Sequence, residues 1–133
     1  MPEPSGSGGG NVSAYFYDIF TDIWISQRMV LDVARLIKEN PGYKIYVSEY
    51  LLINFQLYIY FQQIKVTGHS LGGALAALAA RYIQMDIIPG HPERIYLLTF
   101  GQPRTGDEKW ASLAEKAVSL FSFNNRLIHV ALL

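Results

Sequence analysis

Residues 66 to 74 read Val66-Thr67-Gly68-His69-Ser70-Leu71-Gly72-Gly73-Ala74. The spacing Gly68-x-Ser70-x-Gly72 suits a chain that leaves a strand, turns sharply through a serine and enters a helix. Side chains two residues either side of that serine would run into the crossing backbone, so glycine occupies both places. The serine itself is held at a strained backbone position with its hydroxyl pointing out of the sheet. The N–H of the following residue, Leu71, then faces the place where an oxyanion would form. Ser70 is therefore a candidate nucleophile for acyl transfer, and Leu71 a candidate donor to the oxyanion. Gly68 and Gly72 are assigned to the turn. His69 is assigned a structural role, holding the turn by a side-chain hydrogen bond, because a neighbour of the nucleophile does not easily fold back onto its hydroxyl. The alternative, a Gly-Ser turn without chemistry, is weakened by the flanking sequence.

The elements around this turn have the required order. Ile64-Lys65-Val66-Thr67 is β-prone, and residues 73 to 83 are strong helix formers rich in alanine, which lets a helix lie close to its strand. That helix is expected to end near Met85, with a loop over residues 86 to 92. His91 in that loop is read as a solvated histidine rather than a base. Ile95-Tyr96-Leu97-Leu98-Thr99-Phe100 reads as a buried strand. Asp107 precedes a helical stretch and is an N-cap by type and position. Upstream, Phe16, Ile19, Phe20, Ile23, Val30, Val33, Ala34 and Ile37 recur mostly at spacings of three and four, which predicts one amphipathic helix over residues 14 to 39 ended by Pro41-Gly42. Residues 46 to 61 alternate with period two and predict one long strand or a hairpin.

Two motifs, Val66-Thr67-Gly68-His69-Ser70-Leu71-Gly72-Gly73-Ala74 and Thr99-Phe100-Gly101-Gln102-Pro103-Arg104-Thr105-Gly106-Asp107, are separated by one helix and one strand. Together they resemble the class 3 (fungal-type) lipases. Gly10 to Phe16 and Asn40-Pro41-Gly42-Tyr43-Lys44 are similar to the same family, so that the likeness covers most of residues 10 to 115. The resemblance implies an α/β fold of the α/β-hydrolase type, a mostly parallel sheet with flanking helices, here truncated at both ends. It implies hydrolysis of acylglycerols or related carboxylic esters by a Ser-Asp-His triad, without metal or cofactor. Ser70 matches the family nucleophile and Leu71 the first oxyanion donor. The family's acid lies in a segment similar to Arg126-Leu127-Ile128-His129, where no aspartate stands, and no Asp or Glu follows Glu115. His129 matches a position beside the acid and is a weak stand-in for the base. The family's lid and second oxyanion donor, which precede its counterpart of Val12, are expected to be missing. On this reading the polypeptide has little or no lipase activity, or is an inactive lipase-like fragment. A membrane anchor over residues 45 to 64 is disfavoured by Glu49, Asn54 and Gln56.

With 133 residues, half of them hydrophobic, the chain can bury the core of one small domain. The formal net charge of zero, with no basic patch, gives no reason to expect a nucleic-acid partner. The absence of cysteine excludes disulfides and thiolate metal sites. Residues 1 to 11 read as a disordered Gly/Ser/Pro-rich lead-in to a domain over residues 12 to 133. The lead-in lacks the basic and apolar regions of a signal peptide, although members of the resembled family are usually secreted. Asn11-Val12-Ser13 is a glycosylation sequon by pattern. Residues 47 to 62 lie where the family runs straight from Pro-Gly-Tyr-Lys into its elbow strand. Val-Ser and Phe-Gln at their ends fit splice-donor and splice-acceptor codons, and the Tyr/Leu/Ile/Asn/Phe content between fits AT-rich DNA. The stretch reads as a translated intron, with a surface insertion as the rival. Transcript sequencing is expected to recover a form without residues 47 to 62; finding the long form alone, with an ordinary genomic junction, would refute the intron reading.

Overall fold

The computed structural model describes residues 9–41, 45–48 and 63–120. Helix α1 (Ala14–Thr21) widens into a π turn (Asp22–Ser26) and is followed by α2 (Met29–Glu39). Strand β1 (Ile45–Ser48) comes next, then β2 (Ile64–His69), α3 (Leu71–Tyr82) with a second π turn (Ile83–Ile87), β3 (Ile95–Phe100), α4 (Glu108–Ala117) and the short β4 (Ser119–Leu120). The four strands lie in chain order in one sheet, and every pair is parallel. Ile64 is in register with Ile45 on one side and with Ile95 on the other, so all strands point their C-terminal ends to the same edge.

Parallel sheets are sustained by helices that cover them, and their strands are correspondingly apolar. Ile64 and Val66 of β2 and Ile95, Leu97 and Thr99 of β3 are buried, at alternating positions. The residues between them are half-buried. Helix α3 packs on both strands and on α1. Its approach is close because it presents alanine: Ala76, Ala77, Ala79 and Ala80 are all buried. Arg81, at the end of the same helix, is also buried and donates from Nη1 to the Leu113 carbonyl of α4 at 3.4 Å.

The single helix expected over residues 14 to 39 is two helices. Residue 27 donates to the Asp22 carbonyl across a five-residue turn at 3.0 Å, and Arg28 then takes the left-handed conformation, φ 64°. The apolar stripe hides this break because Ile23 and Val30 are seven residues apart, two helical turns, on either side of it. Trp24 joins the core beside that stripe, 1% exposed. Its ring stacks on Phe20 at 5.5 Å and meets Tyr82 edge-on at 5.9 Å. Of the long strand or hairpin expected over residues 46 to 61, β1 includes only 46 to 48, and its partner is β2 in parallel; residues 49 to 61 lie outside the described residues. Of the expected lead-in, residues 9 to 11 are among the described residues and residues 1 to 8 are not.

Ala80 is fully buried between α3 and its neighbours. Replacing it with leucine adds three carbons where no room exists. Ala80→Leu is expected to lower stability by about 1–3 kcal/mol in a denaturant melt; an unchanged midpoint would mean that α3 does not lie this close to the sheet.

Candidate active site

The sequence Gly68-His69-Ser70-Leu71-Gly72 joins the end of β2 to the start of α3. Ser70 has φ 55° and ψ −122°, a combination that side chains rarely adopt. Such a backbone costs on the order of 1–3 kcal/mol and persists only where its surroundings enforce it. Three features enforce it here. The Ser70 N–H donates to the Phe100 carbonyl at the end of β3, at 2.9 Å. The Ser70 carbonyl accepts from Gly73 at 2.9 Å and from Ala74 at 3.4 Å, which starts the helix. Gly68 lies so close to Gly72 that a Cβ on residue 68 would overlap the Gly72 carbonyl.

A serine in front of a helix ordinarily spends its hydroxyl on capping the first turn. Ser70 makes no such side-chain bond, and its side chain is exposed. The hydroxyl is thus left available at the C-terminal edge of the sheet, where ligands of open α/β sheets bind. Leu71 is the first residue of α3, and the first N–H groups of a helix have no intrahelical acceptor. They carry partial positive charge from the helix dipole, which suits a developing oxyanion. Gly72 is buried on the inner side of the turn. His69 is exposed, its Nε2 about an ordinary van der Waals distance, 3.7 Å, from where a Cβ on Gly101 would stand. The ring of His69 makes no hydrogen bond among the described residues, and backbone bonds of Ser70 hold the turn there.

The loop after β3 forms the other wall of the elbow. A Cβ on Gly73 would stand 3.1 Å from the Gln102 Cβ. Gln102 donates from Nε2 to Thr105 Oγ1 at 2.8 Å, and Thr105 is buried. Asp107 closes the loop. Its Oδ1 accepts from the Trp110 N–H at 2.8 Å, the expected cap of α4. Its Oδ2 accepts from both the backbone N–H and the side-chain Nδ2 of Asn11, each at 2.9 Å. The Asp107 N–H returns a bond to the Asn11 carbonyl at 2.8 Å, and Val12 bridges Gly106. Capping by the Trp110 N–H, with the Asn11 donors behind it, holds the Asp107 carboxyl below its ordinary pKa of 3.8. The sequence named Asp107 as a cap but read Asn11 only as part of a sequon and of the family-like stretch from Gly10 to Phe16. Its partner is 96 residues away, and no local pattern reveals that pairing.

His91 stands in the loop that enters β3, exposed, with Nδ1 3.1 Å from Glu93 Oε1. Ser70 follows the opposite end of the adjacent parallel strand. Six residues of strand separate the two ends, roughly 20 Å, which excludes His91 as a partner of Ser70. His129 lies outside the described residues. Among the described residues no group of acidic, histidine or cysteine side chains could hold a metal ion, and no helix is long and apolar enough to cross a membrane.

A parallel sheet whose central strand turns through a strained, exposed serine into a close-packed helix is a partial α/β-hydrolase fold. The family model for lipase (class 3) matches residues 55–130, more than half of the chain, and the protein belongs to that family. It is similar to secreted mono- and diacylglycerol lipase 1 of Fusarium solani, 49% identical over 47 residues that make up 35% of this chain and 13% of that one. A lipase of Caenorhabditis elegans is 41% identical over 66 residues, 50% of this chain and 18% of its own. Lipase II from Rhizopus niveus superposes with a TM-score of 0.66 at 22% identity, over 91% of this chain and 38% of that one. The triacylglyceride lipase of Rhizomucor miehei gives 0.60 at 27% identity, over 88% and 36%. The chain thus spans under two fifths of the length of each of these four relatives.

Two outcomes test this geometry. Gly68→Ala is expected to fall beyond the roughly 0.5–3 kcal/mol of ordinary point substitutions, read as loss of a cooperative thermal transition. Asp107→Ala removes a cap and both Asn11 bonds and is expected to lower the melting temperature at neutral pH. Because the folded pKa of Asp107 is depressed, its ionic contribution is fully present above the unfolded value, 3.8, and is lost as pH falls through the lower folded value. The melting-temperature gap between wild type and Asp107→Ala is therefore expected to narrow below that pH; a gap that stays constant into strong acid would contradict the assignment.

Proposed function

We propose that the protein is a serine hydrolase of the acyl esters of glycerol, or of closely related carboxylic esters, with Ser70 as nucleophile. The observation that carries this reading is the backbone of Ser70, forced to φ 55° with the hydroxyl not spent on capping α3. Membership of the class 3 lipase family and the names of the relatives, which are lipases of mono-, di- and triacylglycerols, support the substrate class.

In this mechanism Ser70 Oγ attacks the ester carbonyl carbon and gives up its proton to a base. The carbonyl oxygen becomes an oxyanion that accepts from the Leu71 N–H at the N-terminus of α3. Collapse expels the glycerol alkoxide, which takes the proton, and leaves an acyl group on Ser70. Attack by water repeats the sequence and frees the fatty acid. The strain at Ser70 fixes the direction of attack before substrate arrives, so little ordering remains to be done in the transition state. A base and an acid are required for Ser70 to act at a useful rate. Neither His69 nor His91 is hydrogen-bonded to Ser70 among the described residues; the second reading is an inactive lipase-like chain that binds lipid or a partner.

Turnover of a short-chain glycerol ester by purified protein separates the two. On the hydrolase reading, Ser70→Ala lowers kcat by about 10⁶-fold, as expected for the loss of a serine nucleophile. On the second reading, wild type and Ser70→Ala share the same background rate. Equal and substantial rates in both would assign the activity to another residue and end the proposal.

A further inference from the structure

Asn11-Val12-Ser13 has the pattern of an acceptor for N-linked sugar, and the structure adds an observation about each of its two polar side chains. Ser13 stands at the N-cap of α1, where a serine hydroxyl ordinarily accepts from the first turn, and it makes no such bond. No other described residue hydrogen-bonds that hydroxyl. The local role that would explain a serine at this place is therefore unused. Asn11 is exposed, and its amide carries two N–H hydrogens, of which one is engaged. Nδ2 donates to Asp107 Oδ2 at 2.9 Å, and the Asn11 backbone N–H donates to the same oxygen at 2.9 Å. Two donors of one residue converge on one atom only through the amide hydrogen on the Cβ side, because the other points away from the backbone. That other hydrogen is the one a sugar replaces. A substituted amide strongly prefers the trans arrangement, which sets the new carbon opposite Cβ and leaves the Cβ-side hydrogen in place.

We propose that Asn11 is an acceptor for an N-linked oligosaccharide, and that the folded protein keeps the bond from Asn11 Nδ2 to Asp107 with the sugar attached. The sugar donor is a polyprenyl-diphosphate oligosaccharide. In the transfer, the bond between the anomeric carbon and the diphosphate oxygen breaks, and the diphosphate leaves with the electron pair. The anomeric carbon bonds to Asn11 Nδ2, and the outward amide proton passes to a base of the transferase. The remaining N–H then meets Asp107 Oδ2 as it does without sugar. Transfer precedes folding, because in the folded chain Val12 bridges Gly106 and the Ser13 N–H donates to the Thr105 carbonyl at 2.9 Å. Those bonds hold the acceptor backbone against the loop and out of reach of a transferase. The exposed side of Asn11 gives the sugar a way out to solvent, as an N-linked chain requires. None of this depends on Ser70 or on its reaction.

The test expresses the full chain through the secretory route of a eukaryotic host behind a cleavable leader. Wild type from a bacterial host, which lacks the sugar, is the reference. Intact mass is expected to rise by one oligosaccharide, peptide mapping to place it on Asn11, and Ser13→Ala to abolish it. An endoglycosidase that leaves a single N-acetylglucosamine on Asn11 is expected to give a melting temperature within about 2 °C of the reference. An amidase that removes the whole sugar produces Asn11→Asp, which exchanges a donor for a second carboxylate beside Asp107. That product is expected to melt about 4 °C lower, the effect of roughly one lost hydrogen bond. The proposal is overturned if Asn11 emerges unmodified. It is equally overturned if the protein bearing one sugar melts as low as the Asn11→Asp product, since the sugar would then have displaced the Asp107 bond.

Discussion

The crossing of β2 and α3 at Gly68 and Gly72 is the constraint on which the other features depend. Backbone meets backbone there with no room for a Cβ on residue 68. That contact forces the chain to reverse within two residues, and the reversal places Ser70 at a positive φ. The strained serine is then held from two directions, by the Phe100 carbonyl on one side and by the first turn of α3 on the other. Each hold requires an element to be in place: β3 must pair with β2 in register for the Phe100 carbonyl to arrive, and α3 must lie close to the sheet for its first turn to form on Ser70. The run of small residues in α3 and the apolar positions of β2 and β3 serve that one arrangement.

The loop from Gly101 to Asp107 extends the same logic outward. It leaves β3 beside His69, packs Gln102 on Gly73, and is tied by Asp107 both to α4 and to Asn11. An ionised carboxylate accepting three N–H bonds is a stiff anchor, and charge-assisted bonds of this kind exceed neutral ones in strength. The N-terminal end of the described chain is thereby fastened to the wall of the elbow. The wall and Ser70 are positioned by independent sets of bonds, one made by backbone at Ser70 and one by side chains at Asp107.

The parts of the fold that were legible in the sequence are those written in local pattern. Gly68-x-Ser70-x-Gly72 between a β-prone and an alanine-rich stretch described the turn because steric exclusion acts within five residues. Ile95 to Phe100 read as a strand because it is an unbroken apolar run, and Asp107 read as a cap because capping is a three-residue matter. Two features escaped. The break at Arg28 was masked by an apolar repeat that keeps its phase across two turns. The Asn11–Asp107 pair depends on contact between opposite ends of the chain.

On the proposed function, Ser70 at the start of α3 is the serine that acts as nucleophile. Mapping the residue modified by a fluorophosphonate, by peptide mass spectrometry of the folded protein against a denatured control, tests it most directly. The account predicts modification at Ser70 in the folded protein only, with the other serines unmodified. Modification at another serine, or at Ser70 equally in the folded and denatured chains, would contradict it.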